Sequence, residues 1–167
     1  MTILRSLTIV ALLASLGACT SADRFGPGGA AGAGAAGAAG SVSDPTSPAY
    51  FNQMIGDRVL FAVDQSVLTP EAQATLDGQA DWLLTNTAYS ALVEGHADEQ
   101  GTREYNIALG ARRAEAVQTY LISRGVAPNR LRTISYGKER PIEICSEEAC
   151  YRQNRRAVTV ITAGAGV

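Results

Sequence analysis

The sequence predicts a small α/β (α+β) two-layer sandwich, in which helices cover one face of a β-sheet. Two observations predict it: short segments with the composition of strands recur between residues 58 and 162, and two longer segments with helical spacing lie between them. The chain has 167 residues, of which 46% are hydrophobic, so it fits one ordinary domain with an extra segment.

The first part of this domain is expected to form a strand and then a helix. Residues 58–63 are rich in β-branched and aromatic side chains, and Asp64 ends this strand. Thr69 is a suitable helix N-cap, and Pro70 occupies the first helical position, where its missing N–H costs nothing. The apolar face of this helix is expected to consist of Ala72, Leu76, Ala80, Leu83 and Leu84.

The second part is expected to add a longer helix and three strands. Residues 91–96 form the second strand, and the helix that follows ends at Gly125, with Pro128 shortly beyond. Apolar positions at helical spacing are Tyr105, Leu109, Ala116, Val117, Tyr120 and Leu121. Two more short strands, with an irregular or helical segment between them, are expected at residues 131–136 and 157–162.

The charge of the chain argues against a nucleic-acid partner. The net charge is −2, so there is no basic field to hold a phosphate backbone. Residues 32–37, GAGAAG, match the dinucleotide fingerprint G-x-G-x-x-G by letter. No apolar strand precedes them and no helical pattern follows, so neither nucleotide binding nor any other cofactor is expected.

The first 18 residues are expected to be a lipoprotein signal peptide. Arg5 provides a short positive start, residues 7–16 are mostly apolar, and the segment is too short to span a bilayer. The letters LGAC at residues 16–19 resemble the lipobox of bacterial lipoproteins, in which the cysteine, here Cys19, is acylated and becomes the new N-terminus. The alternative is an ordinary secretory cleavage site followed by a chance cysteine.

Residues 19–49 are expected to be the acylated cysteine and a flexible tether, because they consist mainly of Gly, Ala, Ser and Pro. A flexible coil of about thirty residues has an end-to-end distance on the order of 30 Å. Thr20 stands where an Asp retains many Gram-negative lipoproteins at the inner membrane. The resemblance therefore implies anchoring in the outer membrane, with the domain at residues 50–167 facing the periplasm.

Three segments of the domain carry a family resemblance. Residues 93–114 read VEGHADEQGTREYNIALGARRA, residues 135–141 read SYGKERP and residues 154–158 read NRRAV. Together they resemble the OmpA-like domain family, over roughly residues 58 to 162. The resemblance implies a mixed sheet of about four strands with two main helices on one face, and a domain that binds the peptide stems of peptidoglycan.

Three polar side chains of the motif are candidates for the binding site. Asn106 and Arg113 are seven residues apart and share one helix face, while Asp98 opens the turn before that helix. Diaminopimelate in a stem peptide carries a free ammonium and a carboxylate on one carbon. Asp98 suits the ammonium, and the planar fork of Arg113 suits the carboxylate. Without the motif, a structural or surface ion pair is the alternative interpretation.

The resemblance assigns ligand contacts to Asp98 and Arg113 and implies further contacts from Asp64 and Leu109. Asn106 fits the asparagine of the motif, with organisation of the loop as a second role beside ligand contact. Arg112 points about 100 degrees away from its neighbour on a helix and is not expected to replace it.

His96 is the only histidine, and it invites a metal or catalytic interpretation. On a strand, His96 and Asp98 share a side whereas Glu99 faces away, which leaves too few ligands for zinc. A hydrogen-bonded structural histidine is therefore expected, with no metal and no catalytic residue. The sequence also lacks a G-x-S-x-G elbow and an H-E-x-x-H helix, so an enzyme is not expected.

Cys145 and Cys150 are expected to form a disulfide in the oxidising periplasm, with two reduced thiols as the alternative. Arg155 and Arg156 either edge the binding cleft or anchor the last strand, and the anchoring role is favoured.

The resemblance implies a lipoprotein that links the outer membrane to peptidoglycan and supports envelope integrity and outer-membrane constriction at division. It also implies partners in the Tol system, above all the propeller protein TolB. The alternatives are an enzyme that acts on peptidoglycan and a pure interaction protein that docks periplasmic partners.

Overall fold

The computed structural model describes residues 40–164 of the chain. The helices are α1 (Pro48–Tyr50), α2 (Pro70–Thr85), α3 (Arg103–Ser123) and α4 (Glu148–Asn154), with a π-helical turn at Phe51–Gly56 and a 3₁₀ turn at Pro128–Arg130. The strands are β1 (Arg58–Leu60), β2 (Tyr89–His96), β3 (Leu131–Gly137) and β4 (Arg156–Ala163). No helix within residues 40–164 has the length and apolar character that a membrane span requires.

The four strands form one mixed sheet in the order β1-β4-β2-β3. β2 and β3 run parallel, joined by the crossover helix α3, whereas β4 lies antiparallel between β1 and β2. The predicted two-layer fold with a four-stranded mixed sheet is confirmed. Because β2 and β3 are parallel, their carboxyl ends lie at the same edge of the sheet, where the turn into α3 begins.

The hydrophobic core lies between one sheet face and the helices α2 and α3. Alternate residues of the strands, such as Val93 and Ala157, meet helix residues such as Leu76, Leu83 and Val117 there, all with at most 4% exposure. Full burial of a side chain such as leucine or valine contributes about 1.5–3 kcal/mol. The apolar residues at strand spacing and those at helix spacing in the sequence therefore face each other in this core.

Helix α3 rests directly on β2 through two glycines. A Cβ atom added at Gly95 would lie 1.8 Å from the carbonyl oxygen of Gly110, and one added at Gly110 would lie 2.4 Å from Oγ of Ser135. No side chain fits between the two backbones. The close contact fixes where α3 begins relative to the end of β2, and so fixes the turn between them.

The apolar face of α2 differs from the prediction at two positions, Leu84 and Trp82. Leu84 is 43% exposed, whereas Trp82 is 5% exposed. The Trp82 ring packs against Phe51, with ring centroids 5.0 Å apart, and its Nε1 donates a hydrogen bond to the carbonyl of Pro45 at 2.7 Å. The segment before β1 therefore covers a side of α2 that the helical pattern assigned to solvent.

The folded part of the chain begins before Tyr50, the first residue of the predicted domain. Ser47 is buried, and its Oγ donates to the carbonyl of Ser41 at 2.7 Å and accepts from the amide of Tyr50 at 3.0 Å. The residues just ahead of Tyr50 thus cap α1 and join the fold.

Two further details of the elements differ from the prediction. β1 ends at Leu60, short of residue 63, and the chain then turns toward Asp64. Tyr105 belongs to α3 but is 44% exposed, so it lies off the apolar face.

The predicted ends of the two main helices agree with the structure. The N-cap Thr69 accepts from the amide of Ala72 at 3.2 Å, and Gly125 ends α3 with φ +103°.

Candidate functional site

A pocket of about 220 Å³ opens where the turn between β2 and α3 meets the turn after β1. It is lined by Val63, Asp64, Asp98, Gln100, Gly101, Tyr105, Asn106 and Leu109. The structure thus brings together four of the predicted site residues, Asp64, Asp98, Asn106 and Leu109. The fifth, Arg113, lies beneath the pocket and is not part of its lining.

The turn into α3 has a defined backbone. The amide of Ala97 donates to the carbonyl of Gly137 at 2.8 Å, which extends the pairing of β2 and β3. Gly101 adopts φ +89°, a region that favours glycine, and Thr102 caps α3 by accepting from the amide of Tyr105 at 3.2 Å. Lys138 donates to the carbonyl of Gly101 at 2.7 Å. The pocket therefore borders the positive end of a capped helix.

Asp98 is 7% exposed and partly paired. Its Oδ1 accepts from the amide of Gln100 at 3.3 Å, and its Oδ2 accepts from Nη1 of Arg155 at 3.1 Å. A carboxylate offers about four acceptor positions, so two such contacts leave capacity toward the pocket. Asp98 is thus held in place and still able to accept hydrogen bonds from a ligand.

Asn106 carries an unused acceptor in the pocket lining. Its Nδ2 donates to the carbonyl of Gln100 at 2.7 Å and so ties the first turn of α3 to the turn before it. Asn106 is only 1% exposed, and its Oδ1 is buried without a hydrogen-bond partner among the described residues. A buried carbonyl oxygen without a partner costs free energy, and a ligand N–H would remove that cost.

Asp64 and Tyr105 close one side of the pocket. Asp64 has φ +56°, the left-handed conformation that Asp tolerates better than most residues. Its Oδ1 accepts a hydrogen bond from the hydroxyl of Tyr105, which raises the pKa of that phenol. The pair joins the turn after β1 to the first turn of α3, both of which contribute to the pocket wall.

Arg113 is fully buried and bonded to three backbone carbonyls. Nε donates to Gln65 at 2.8 Å, Nη1 to His96 at 2.7 Å and Nη2 to Ala62 at 3.2 Å. The guanidinium also lies 5.2 Å from the ring centroid of Phe61. Burial lowers the pKa of Arg113 to about 10, against the opposing effect of the Asp98 carboxylate, so it is charged at neutral pH.

The alternative interpretation, in which Asp98 and Arg113 form an ion pair, does not hold among the described residues. Within residues 40–164, the ion pair of Asp98 is with Arg155, and Arg113 forms no ion pair. Arg155 is 4% exposed, and its Nη2 also donates to Glu148 in α4. It therefore contacts the site as well as anchoring the strand. Among the described residues, the Arg156 guanidinium donates to two backbone carbonyls, those of Asn154 and Arg140. The only sequence signal for Arg155 is its place in the NRRAV segment.

The His96 side chain is buried, but the hydrogen bond that was expected of it is absent among the described residues. Neither ring nitrogen has a partner among the described residues, and Oε2 of Glu94 is 3.6 Å from Nε2. The ring instead packs against Tyr136, with centroids 5.6 Å apart. Burial, followed by the charges of Arg156 and Arg140, lowers the pKa of His96 to about 4. The ring is therefore neutral at pH 7.

The structure holds a disulfide between Cys145 and Cys150, with their Cα atoms 5.9 Å apart. Within the described part of the chain, no cluster of three His, Cys, Asp or Glu residues is arranged to hold a metal ion. Cys19, the signal peptide and residues 19–39 of the tether lie outside the described residues.

Comparison with known proteins places the chain in a family. The model of the OmpA family matches residues 60–155. A peptidoglycan-associated lipoprotein of Mesorhizobium japonicum is 49% identical over 162 residues, which cover 97% of this chain and 95% of the relative. One from Rhizobium meliloti is 57% identical over 122 residues, 73% of this chain and 69% of the relative. The chain belongs to the OmpA family and, within it, to the peptidoglycan-associated lipoproteins.

A solved structure agrees with this membership. The crystal structure of the peptidoglycan-associated lipoprotein from Burkholderia pseudomallei superposes with a TM-score of 0.65 at 37% identity, and covers 72% of this chain and 98% of that one. Membership in the peptidoglycan-associated lipoproteins also confirms the prediction that the chain is not an enzyme, because these relatives are not enzymes.

Proposed function

We propose that the pocket binds the diaminopimelate end of a peptidoglycan stem peptide and so holds the outer membrane to the cell wall. The observation that carries this proposal is the buried, unpartnered Oδ1 of Asn106 beside the Asp98 carboxylate in one pocket. Two oxygen acceptors at a small opening suit an ammonium group, which has three N–H donors. The names of the relatives, which are peptidoglycan-associated, support the choice of ligand.

The carboxylate on the same carbon requires positive charge close to the ammonium site. The first turn of α3, with Gly101 and Tyr105 in the pocket lining, offers the positive end of a helix. Arg113 adds a buried charge below it, and two of its five N–H groups are not used by the three carbonyls. Because Arg113 is fully buried, a direct contact with the carboxylate would require the residues that cover it, among them the turn that carries Asp64, to move.

The remaining lining accounts for the aliphatic part of such a ligand. Two apolar side chains line the pocket: Leu109, which is 5% exposed, and Val63, which is 53% exposed. The methylene chain of diaminopimelate, which follows the charged end, would pack against these side chains. In this proposal, Asp64 is a second carboxylate for the ammonium, with Tyr105 as its competing donor.

The anchor and the tether complete the proposed role. Acylated Cys19 would hold the chain in the outer membrane, and the tether between Cys19 and the packed segment that begins near Ser41 would let the folded domain reach the wall from the periplasmic side. The chain would thereby link the two layers of the envelope without a covalent bond to the wall. In this role it supports envelope integrity and the constriction of the outer membrane at division.

A second proposed partner is the Tol system, with TolB as its first candidate. Val63 and Tyr105 are 53% and 44% exposed while they line the pocket, and such apolar side chains suit a protein partner that covers the opening. Wall and partner would then exclude one another. Titration of the TolB propeller into the wall-bound chain tests this point, because release of stem peptide is expected, whereas a ternary complex would contradict it.

The wall-binding proposal is tested by calorimetry with a diaminopimelate-containing stem peptide and the full chain in detergent. Asp98→Asn removes a charged acceptor, so a loss of about 1.5–3 kcal/mol, roughly 10- to 100-fold in affinity, is expected. Asp81→Asn, an exposed carboxylate on α2, is the matched control and should bind like the parent. Absence of binding by the folded parent would refute the proposal, and the search would then move to the Tol proteins.

A further inference from the structure

The loop closed by the disulfide, residues 145–150, and the helix α4 that begins inside it contact the binding turn at several points. Ser146 and Tyr151 contact Glu99, and Arg155, which directly follows α4, contacts Asp98. Both contacted residues lie about fifty positions earlier in the chain. None of these contacting side chains lines the pocket itself. Their position behind the turn suggests that they act on its geometry.

The first contact is a chain of charges. Glu148, in the first turn of α4, accepts from Nη2 of Arg155, and Nη1 of Arg155 donates to Oδ2 of Asp98 at 3.1 Å. Nε of Arg155 donates to the carbonyl of Phe61 at 3.3 Å. Arg155 thus joins α4 to both turns that form the pocket. Arg155 is 4% exposed and Asp98 is also buried, so solvent competes little for the bond between them.

The second contact is a pair of hydroxyls on one carboxylate. Oε1 of Glu99 accepts from Oγ of Ser146 and from the hydroxyl of Tyr151, each at 2.9 Å. These two hydrogen bonds lower the pKa of Glu99. Ser146 lies inside the disulfide loop, and Tyr151 directly follows Cys150. The residue next to Asp98 is therefore fixed from the same segment as Asp98 itself.

The disulfide matters because α4 is short. It has seven residues, and its N-cap Glu147 makes no side-chain hydrogen bond. A helix of this length has little stability of its own, so its first turn depends on other restraints. The bond between Cys145 and Cys150 closes a loop around the start of α4. It restrains Ser146 and Glu148 inside the loop and the backbone that leads to Tyr151 directly after it.

We propose that the Cys145–Cys150 loop and α4 are a positioning clamp that, through Arg155 and through Glu99, holds Asp98 in the geometry that binds the ligand ammonium. Arg155, Glu148 and Tyr151 are its positioning residues. The proposal deepens the proposed wall-binding function and rests on it for the ligand. Opening of the clamp is expected to weaken ligand binding while the sheet and the core stay intact.

The first test needs no ligand. Hydrogen exchange is compared between the full chain and its Cys145→Ser/Cys150→Ser variant in detergent. The amides of residues 98–101 are expected to exchange about tenfold faster in the variant, because local opening is governed by the contacts of the segment itself. The amides of α2 are the internal reference and should keep their rates. Unchanged exchange at residues 98–101, or faster exchange in both segments, overturns the clamp.

The second test uses neighbouring residues as matched controls. Glu148→Gln removes the charge that pairs with Arg155, and Glu147→Gln makes the same change one residue away, where there is no such bond. An affinity loss of about threefold for stem peptide is expected only for Glu148→Gln, since that side chain is exposed and its ion pair is weak. Equal affinities of the two variants would show that Glu148 does not position Asp98 through Arg155.

The third test separates positioning from general loosening of the domain. The disulfide variant is expected to bind stem peptide about tenfold more weakly than the parent, because the residues that hold Asp98 in its binding geometry are less restrained. A peptide with its diaminopimelate ammonium acetylated no longer pairs with Asp98, so parent and variant should bind it equally weakly. An equal loss for both peptides contradicts the clamp. If the parent binds neither peptide, the wall-binding function fails, and the exchange result still decides the clamp.

Discussion

Thr159 in β4 donates a hydrogen bond from its hydroxyl to Oε1 of Gln79 in α2, at 2.7 Å, inside the hydrophobic core. Both residues are buried, and Nε2 of Gln79 donates to the carbonyl of Gly56, also at 2.7 Å. This polar connection ties helix, sheet and the turn before β1 together. Because both ends of the Gln79 amide are satisfied, the connection stabilises one arrangement of the layers.

Thr159→Val is therefore expected to be destabilising although it keeps the shape of the side chain. It leaves Oε1 of Gln79 buried without a donor, which costs about 1–3 kcal/mol. Thr133→Val, at an exposed position of β3, is the control and should be neutral or slightly stabilising. Urea denaturation measures both free energies of unfolding, and equal values for the two variants would contradict the role of the buried bond.

The contact between α3 and β2 predicts opposite outcomes for two helical glycines. At Gly110, an added methyl would lie 2.4 Å from Oγ of Ser135 and 2.8 Å from the carbonyl of Gly95, so α3 must move and a loss of about 3 kcal/mol is expected. At Gly78 in α2, the nearest atom is Cγ2 of Ile55 at 3.2 Å, on a half-buried side chain that can rotate.

Gly78→Ala should therefore stay within about 1 kcal/mol of the parent, since alanine gains helix propensity. Thermal or urea unfolding of Gly110→Ala and Gly78→Ala decides the point. A Gly110→Ala variant as stable as Gly78→Ala would show that the layers separate more easily than the contact implies.

The local signals of the sequence were sufficient for most elements. Thr69 and Pro70 fixed the start of α2, and Gly125 fixed the end of α3, because caps act within a few residues. The side of α2 that carries Trp82 could not be predicted, because the residues that cover it precede β1 and have the composition of a linker. Burial there depends on a tertiary contact, to Pro45, that no periodicity encodes.

For the site, the motif identified the residue types that meet but not their pairing. Asp98, Asn106 and Leu109 line the pocket because they sit on one turn and one helix face, which spacing reveals. The pairing of Asp98 with Arg155 joins residues 57 positions apart and depends on how β4 enters the sheet. The burial of Arg113 likewise follows from three carbonyls on two separate segments, which lie outside the reach of local patterns.

Arg113 predicts a sharp contrast with its neighbour on α3. Arg113→Lys keeps the charge but places its donors on a single nitrogen, which cannot reach the carbonyls of Ala62, Gln65 and His96 together. A loss of about 2–4 kcal/mol is expected from the carbonyls left without partners. Arg112→Lys changes an exposed side chain and should stay within about 0.5 kcal/mol of the parent. Similar stabilities of the two variants in urea would contradict the structural role of Arg113.

His96 predicts a loss of stability in acid. Burial lowers its pKa in the folded state to about 4, whereas the unfolded chain has the ordinary value of 6.5. Below pH 6.5 the unfolded chain takes up a proton that the folded protein does not, so the free energy of unfolding falls as the pH approaches 4. The difference in pKa corresponds to about 3 kcal/mol over this interval.

His96→Phe is expected to remove this dependence at little cost. Neither ring nitrogen of His96 has a hydrogen-bond partner among residues 40–164, and the contact with Tyr136 is one that another ring can make. At pH 7 the variant should lie within about 1 kcal/mol of the parent. Urea denaturation of both proteins between pH 7 and pH 4 gives the difference between their free energies of unfolding. The contributions of the carboxylates are the same in both proteins and cancel in this difference. Parallel curves would show that His96 takes up its proton equally in the folded and unfolded states.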